Sequence, residues 1–353
     1  MSQIKPAMPP DSEQPSGEKR SIEAPRPARF RKAIIQMPCY NEAGTLALAL
    51  ECLPRELPGV DKVEWLVVDD GSTDDTRAVA LANGVDHVVS HTQNMGLARA
   101  FMTGLSACIE LGADIIVNTD ADNQYNAGDI PALIQPILDG NAEYVIGTRP
   151  IQSIAHFSPV KKLLQRLGSW SVRLFSGTQV GDAPSGFRAM TRDTAMKLNV
   201  FNSYTYTLET IIQAGRKQIP VASVPVRVNE DLRPSRLVKS IPGYVQKSIL
   251  TILRIFVVYK PFTFFCSIGA VAFGFGILIG LRFLAHWFAG HGEGMIQSLI
   301  LAAILLGMGF LSFMIAFVAD LLAVNRMLLE DIRLNTLKAR FSDKRANDDS
   351  GKA

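Results

Sequence analysis

WLVVDDGSTDD, residues 65–75, is an apolar run that stops abruptly in acids and small polar residues. Consecutive apolar residues from Trp65 to Val68 suit a strand buried on both faces, as in a parallel sheet. Asp69 to Ser72 then read as a turn. From Thr73 the chain offers side-chain oxygens that accept bonds from the free amides of a starting helix. The same unit recurs along the chain. AIIQMP (33–38) reads as a strand with a helix after it over Gly44 to Leu53. VDHVVS (85–90) is a strand, MGLARAFMTGLSACIELG (95–112) a helix, and DIIVNTD (114–120) and AEYVIGTR (142–149) are further strands. This alternation, from Arg31 to about Val228, predicts an α/β, Rossmann-like domain with a mostly parallel sheet covered on both faces.

Such sheets bind ligands outside the carboxyl ends of their strands. Polar clusters sit at those ends: Pro38 to Glu42, Asp69 to Ser72, Asp120 to Gln124, and Gly147 to Arg149. One such cluster is explained by helix capping; a cluster at strand end after strand end points to one shared site. In VNTDADNQY (117–125), Asp120, Asp122 and Gln124 alternate, so an extended chain would aim them to one side. The chain has no GxGxxG after its first strand and no GxxxxGK[ST], which argues against dinucleotide oxidoreductases and P-loop NTPases. Carboxylates holding Mg²⁺ or Mn²⁺, shared with substrate phosphates, would neutralise a diphosphate instead.

The rest of the chain is differently composed. Residues 1–30 are rich in Pro, Ser and charge and are expected to be a disordered tail without the apolar core of a secretion signal. A net charge of +3 gives no reason to expect a nucleic-acid partner. Cys39, Cys52, Cys108 and Cys266 are scattered without a CxxC pair, as isolated thiols in a reducing compartment would be. Two uncharged runs, Phe262 to Leu281 and Leu299 to Ala319, each match the roughly 20 residues that cross a bilayer core. Arg254 and Lys260 precede the first run and Arg326, Arg333, Lys338 and Arg340 follow the second, whereas AHWFAGHGEG between them has no Lys or Arg. That asymmetry places both termini and the soluble domain in the cytoplasm, at the inner (plasma) membrane. Residues 244–260, YVQKSILTILRIFVVYK, read as an amphipathic helix lying in the interface. The division expected is a tail (1–30), a catalytic domain (31–240), an interfacial helix (241–260), two membrane helices (261–325) and a cytoplasmic tail (326–353).

PCYNE (38–42), VVDDGS (67–72), DADNQ (120–124), GTR (147–149) and SGFR (185–188), in this order and followed by two spans, resemble family 2 glycosyltransferases. More closely they resemble polyprenyl-phosphate hexosyltransferases of the dolichol-phosphate mannose synthase type. The resemblance implies a GT-A fold and inverting hexose transfer from a UDP- or GDP-sugar to polyprenyl phosphate. It implies that Pro38, Tyr40, Asn41, Glu42, Val68, Asp70, Thr119, Asp120, Ala121 and Arg149 hold the nucleotide sugar. Asp120, Asp122 and Gln124 would hold the metal, with Asp122, Arg149 and Arg188 catalytic and Ser185 and Arg188 on the acceptor side. A homo-oligomer, such as a tetramer, is also implied. One departure stands out: the family's common form of the third motif is DADLQ, and Asn123 replaces its leucine here.

A lipid phosphate is largely a dianion at pH 7 and needs no general base to act as nucleophile. The histidines, His87, His91, His156, His286 and His291, lie outside the motifs and read as surface or interface residues. A dianionic acceptor does need cations, and Lys161, Lys162, Arg166, Arg188, Arg233 and Arg236 are the candidates, the arginines for their bidentate grip on phosphate. A processive polysaccharide synthase would show QxxRW and more spans, which this chain lacks. A membrane glycosyltransferase with another lipid or polysaccharide acceptor, or a non-catalytic sugar-nucleotide-binding scaffold, are the alternatives.

Overall fold

The computed structural model describes residues 30–150, 180–200, 206–229, 250, 253–254, 256–290 and 296–350, with side chains as far as Phe341. Strand β1 (Phe30–Cys39) lies at the centre of the sheet, buried without interruption from Ala33 to Cys39. It pairs in parallel with β2 (Val60–Asp69) on one side and β4 (Ile115–Asn118) on the other, and β3 (His87–Ser90) extends the sheet beyond β2. The remaining strands are β5 (Tyr144–Thr148), β6 (Arg188–Thr191) and β7 (Val221–Pro225), giving the order β3-β2-β1-β4-β6-β5-β7. Only β6 runs against its neighbours, β4 and β5; the other pairings are parallel, as the apolar runs predict.

Helices cover both faces. On one, α1 (Ala43–Glu51), α2 (Thr76–Ala82) and α4 (Ile130–Leu138) bring Leu46, Leu50, Ala80, Leu133 and Ile137 onto the side chains of Ile35, Val67 and Val117. On the other, α3 (Leu97–Glu110), α5 (Arg192–Lys197) and α6 (Thr207–Arg216) bring Phe101, Leu105, Ala195, Ile211 and Ile212 onto Ile34, Leu66 and Ile116. Alternation along each strand sends Ile34 to one layer and Ile35 to the other, which is why these strands read as nearly continuous apolar runs.

Some elements depart from the sequence reading. α2 starts at Thr76 rather than Thr73, because residues 72–76 are used as bolts between loops. β6 and β7 were not anticipated.

The two apolar runs form α7 (Pro261–Phe288) and α8 (Ile296–Ser350). Their large side chains point outward: Leu278 is 63% exposed and Leu311 60%. Buried helices of a soluble domain do not present such faces, so the pair is membrane-associated. The helices meet through glycines: a Cβ on Gly276 would come within 2.9 Å of Leu306, and one on Gly309 within 2.9 Å of Phe273. Gly274 and Gly280, on the same helix as Gly276, make no such contact among the described residues. The second helix does not end in a tail at residue 326. It runs on as one helix to Ser350 and packs against the α/β domain. Most of the expected interfacial helix, and nearly all of the N-terminal tail, fall outside the described residues.

Candidate active site

The site forms where the strands end. After β1, Asn41 adopts a left-handed φ of 54°, which asparagine tolerates better than most residues. This turns the chain so that the first and second polar loops interlock. Asn41 N–H donates to Ser72 Oγ (2.9 Å), Thr73 N–H to Asn41 Oδ1 (2.8 Å), Glu42 N–H to Thr76 Oγ1 (2.8 Å) and Ala43 N–H to Asp74 Oδ2 (3.1 Å). Pro38 is buried beneath this loop and Tyr40, 41% exposed, stands at its mouth.

Asp69 and Asp70 are buried and occupied. Asp69 Oδ1 accepts from Ser72 N–H at 3.0 Å. Asp70 accepts from the amides of Met95 (2.9 Å) and Gly96 (2.8 Å) and pairs with His91 Nδ1 at 2.7 Å. His91 in turn meets Thr103 Oγ1 at 3.0 Å. His91 is thus no surface residue: it braces Asp70 from β3's far end. Gly96 has φ 91°, a conformation glycine supplies at the start of α3.

Beyond β4, Asp120 and Asp122 lie half-buried in one loop. Asp122 Oδ1 accepts from Gln124 N–H at 3.1 Å, closing a tight turn through Asn123, whose φ is 56°. Here the Asn in place of leucine suits a left-handed position, and Asn229 Nδ2 grips its carbonyl at 2.9 Å. No described residue donates a hydrogen bond to the Asp120 carboxylate. Burial first, then Asp122, push that carboxyl up to about 7, against the pull of Arg149 and Arg188.

The antiparallel register of β4 and β6 sets Asn118 opposite Arg188 and so folds SGFR against the acidic loop. A Cβ on Gly186 would sit 2.9 Å from Asp120 Oδ2, so only glycine lets the turn approach this closely. A buried amide relay supports it. Gln36 Nε2 donates to Asn118 Oδ1 (2.9 Å), and Asn118 Nδ2 donates to Gly186 O (2.8 Å) and Tyr206 Oη (2.9 Å). Tyr206 stacks on Phe101, and Tyr125 Oη accepts from Gly186 N–H at 2.9 Å.

One arginine is placed otherwise than expected. Arg188 was read as catalytic and as an acceptor ligand, but it is 0% exposed. Its guanidinium donates to Ser185 O (2.7 Å), Ala183 O (2.8 Å), Thr210 Oγ1 (2.7 Å) and Tyr144 Oη. With these bonds made, its fork is spent inside the protein, and Arg188 is a brace for the SGFR turn. Arg149 is clamped to Asp182, Nε to Oδ2 at 2.7 Å and Nη2 to Oδ1 at 3.1 Å, near Tyr125 and Asp120. Asp182 was missed; its only sequence signal is an acid just ahead of SGFR.

Among the other anticipated residues, Val68 and Ala121 point into the apolar layers, and Thr119 is buried, its amide on Gln36 O at 3.1 Å. Ser185 is buried, and its Oγ and Thr148 Oγ1 find no hydrogen-bond partner among the described residues. Lys161, Lys162, Arg166, Arg233 and Arg236 lie outside the described residues, as do His156 and His291.

The donor set is all oxygen. Asp120 and Asp122 are not joined by a third His, Cys, Asp or Glu in a ligating group among the described residues. That is too few for a fully protein-caged ion and right for a hard cation that takes its other ligands from phosphate and water. A carboxyl that burial and Asp122 push up, and to which no described residue donates, fits such a cation.

A parallel sheet with acids at its carboxyl edge, opposed by an antiparallel strand, is a sugar-nucleotide-transferase architecture, and the comparisons agree. The model of "Glycosyl transferase family 2" matches residues 34–198. A UDP-N-acetylglucosamine–dolichyl-phosphate N-acetylglucosaminyltransferase of Methanococcus voltae is 31% identical over 213 residues, 54% of this chain and 83% of that one. An undecaprenyl-phosphate mannosyltransferase of Micrococcus luteus is 29% identical, over 59% of this chain and 88% of that one. The crystal structure of glucosyl-3-phosphoglycerate synthase from Mycobacterium tuberculosis superposes with a TM-score of 0.50 at 25% identity, covering 63% of this chain and 80% of that one. The chain belongs to glycosyl transferase family 2 and is a glycosyltransferase with a GT-A-like fold.

Proposed function

We propose that this enzyme transfers a hexose from a nucleotide sugar to a polyprenyl phosphate, with inversion, at the cytoplasmic face of the membrane. The observation that carries the reading is the Asp120–Asp122 loop, pressed against the SGFR turn in a domain tied to two apolar helices. Relatives named for undecaprenyl- and dolichyl-phosphate acceptors support the acceptor class.

In this reading Asp120, Asp122 and the Gln124 side chain hold Mg²⁺ or Mn²⁺, which when bound acts as a Lewis acid for the leaving nucleoside diphosphate. The interlocked Pro38–Glu42 and Asp69–Ser72 loops form the floor for base and ribose, with Tyr40 at the mouth. Asp70, its carboxylate filled by His91 and two amides, serves by shaping the loop. Arg149, held in one rotamer by Asp182, keeps positive charge beside the diphosphate. A phosphate oxygen of the lipid attacks the anomeric carbon, the bond from that carbon to the donor diphosphate breaks, and the diphosphate leaves with the electron pair. Since the acceptor is already a dianion, the protein's work is placement and charge neutralisation. Lys161, Lys162, Arg166, Arg233 and Arg236 remain the proposed acceptor cations.

Membranes containing the full chain, incubated with polyprenyl phosphate and a panel of UDP- and GDP-sugars, should yield a lipid-linked hexose phosphate identified by mass. Asp122→Ala should lower its formation on the order of 100-fold or more. Product that forms undiminished in chelator, or only on a non-phosphate acceptor, would refute the assignment.

A further inference from the structure

Helix α6 connects two places that no sequence motif joins. At its N-terminal end Tyr206 bonds Asn118 beside Gly186 and Asp120, and Thr210 bonds Arg188. On the same helix, Glu209 and Gln213 meet Tyr259, which stands directly before the first membrane helix. Tyr259 is 3% exposed; its hydroxyl lies 3.2 Å from Glu209 Oε1 and 3.3 Å from Gln213 Nε2. Two guanidinium groups lie near its ring, Arg216 of α6 at 5.6 Å and Arg326 of α8 at 4.7 Å from the centroid.

Arg326 belongs to the stretch of α8 that follows its apolar run. One turn later Glu330 pairs with Arg326 at 3.0 Å and with Lys217, just past α6, at 2.9 Å. Catalytic domain, start of the first span and end of the second therefore converge on one side chain. Along α6 the two residues that bond it, Glu209 and Gln213, stand only about 4 and 10 Å from Tyr206.

We propose that Tyr259 is a positioning residue: bonded at once to α6 and α8, it fixes how the Asp120 site stands over the bilayer and so presents it to an acceptor held there. The proposal rests on the lipid-phosphate reading above. It separates from simple packing because a packing residue affects every acceptor alike, whereas this one matters for acceptors whose own height is set by the bilayer.

The full chain is reconstituted in vesicles and assayed with a long-chain polyprenyl phosphate in the membrane and with a short, water-soluble prenyl phosphate. Tyr259→Ala should lower kcat/KM about tenfold or more with the membrane-held acceptor and less than about twofold with the soluble one, since small misplacements cost large factors. The donor KM should not move, and Tyr259→Phe, which keeps the stacked ring, should fall between. Arg326→Gln leaves the bonds of the Tyr259 hydroxyl to Glu209 and Gln213 in place and should give the same split, which covers the case that Tyr259→Ala does not fold. Equal losses on both acceptors, or none on either, overturn the proposal while leaving the function standing. A wild-type enzyme inactive on both prenyl phosphates but active on another acceptor overturns the function, and this proposal with it.

Discussion

Asp120 and Arg188 show how differently a charge behaves when it is left open and when it is closed in. Asp120 is held up at about 7 by burial and Asp122. The folded chain therefore keeps a proton there that the unfolded chain has released, and stability falls as pH rises from the ordinary 3.8 towards about 7. The metal-free protein should melt lower at pH 8 than at pH 5.5. Asp120→Asn should flatten that slope and raise Tm at pH 8 while abolishing transfer, and added Mn²⁺ should stabilise the wild type but not the variant. A wild-type slope retained in Asp120→Asn would assign it to other groups. Arg188 is the opposite case, since its buried guanidinium is matched on every side described. Arg188→Lys keeps the charge but not the fork, so chemical unfolding should show a loss on the order of 3 kcal/mol. A soluble-phosphate acceptor should show no separate KM defect beyond the loss of folded enzyme. Sequence alone could not tell these roles apart. SGFR announces itself as a motif, but whether its arginine faces ligand or interior depends on Tyr144, Thr210 and the β4–β6 register, all distant in sequence. His91 and Asp182 were illegible for the same reason: each is defined by a partner, Asp70 or Arg149, more than twenty residues away.

At the scale of elements, the strands buried on both faces were the legible part, because β1, β2, β4 and β5 carry mostly apolar runs that end in polar stops. β6 is short, begins inside a polar motif and runs antiparallel; RAMT carries neither alternation nor an apolar run. β7 follows a helix rich in polar residues and is only partly buried. Within β2 the apolar run is interrupted once, by Glu64, which looks like a flaw until the sheet is assembled. Lys32 on β1 (2.5 Å), Lys62 (2.7 Å) and His87 on β3 (2.8 Å) surround it and so tie three parallel strands together. Burial would raise this carboxyl, but the bonds from Lys32, Lys62 and His87 outweigh it and hold it at about 2. Its contribution is therefore present above the ordinary 4.5 and is lost as pH falls from there towards about 2. Glu64→Gln should lower stability at pH 7 on the order of 1 kcal/mol. Urea titrations across pH should show the variant falling less steeply than the wild type below 4.5; parallel curves would mean that the network contributes nothing to folding.

At the scale of the whole molecule, α8 decides how domain and membrane are related. Fifty-five residues make a helix about 80 Å long, whereas about 20 suffice to cross the bilayer core. The charges after the apolar run made residues 326–353 read as a tail, since a helix studded with Arg, Asp and Lys has no self-evident partner. Its partner is the α3–α5 face. Arg333 donates to Leu198 O at 3.4 Å, Arg340 lies 3.8 Å from Glu110, and Phe341, 7% exposed, enters the apolar layer with Arg192 beside its ring. Leu334 and Leu337 pack on the same layer, so the helix binds through successive turns of one face. Phe341 is the far anchor of this strut, as Tyr259 is the near one. Phe341→Ala should cost about 3 kcal/mol of docking without touching the nucleotide loops. Trypsin reports this directly, because Lys338 and Arg340 flank the contact. In the wild type these bonds should be cut slowly; in the variant the last turns should be released early, while UDP or GDP binding, measured by calorimetry, stays the same. If cleavage at Lys338 and Arg340 is as fast in the wild type as in the variant, the extension is not docked in solution. The domain would then be held to the membrane through the Tyr259 junction alone.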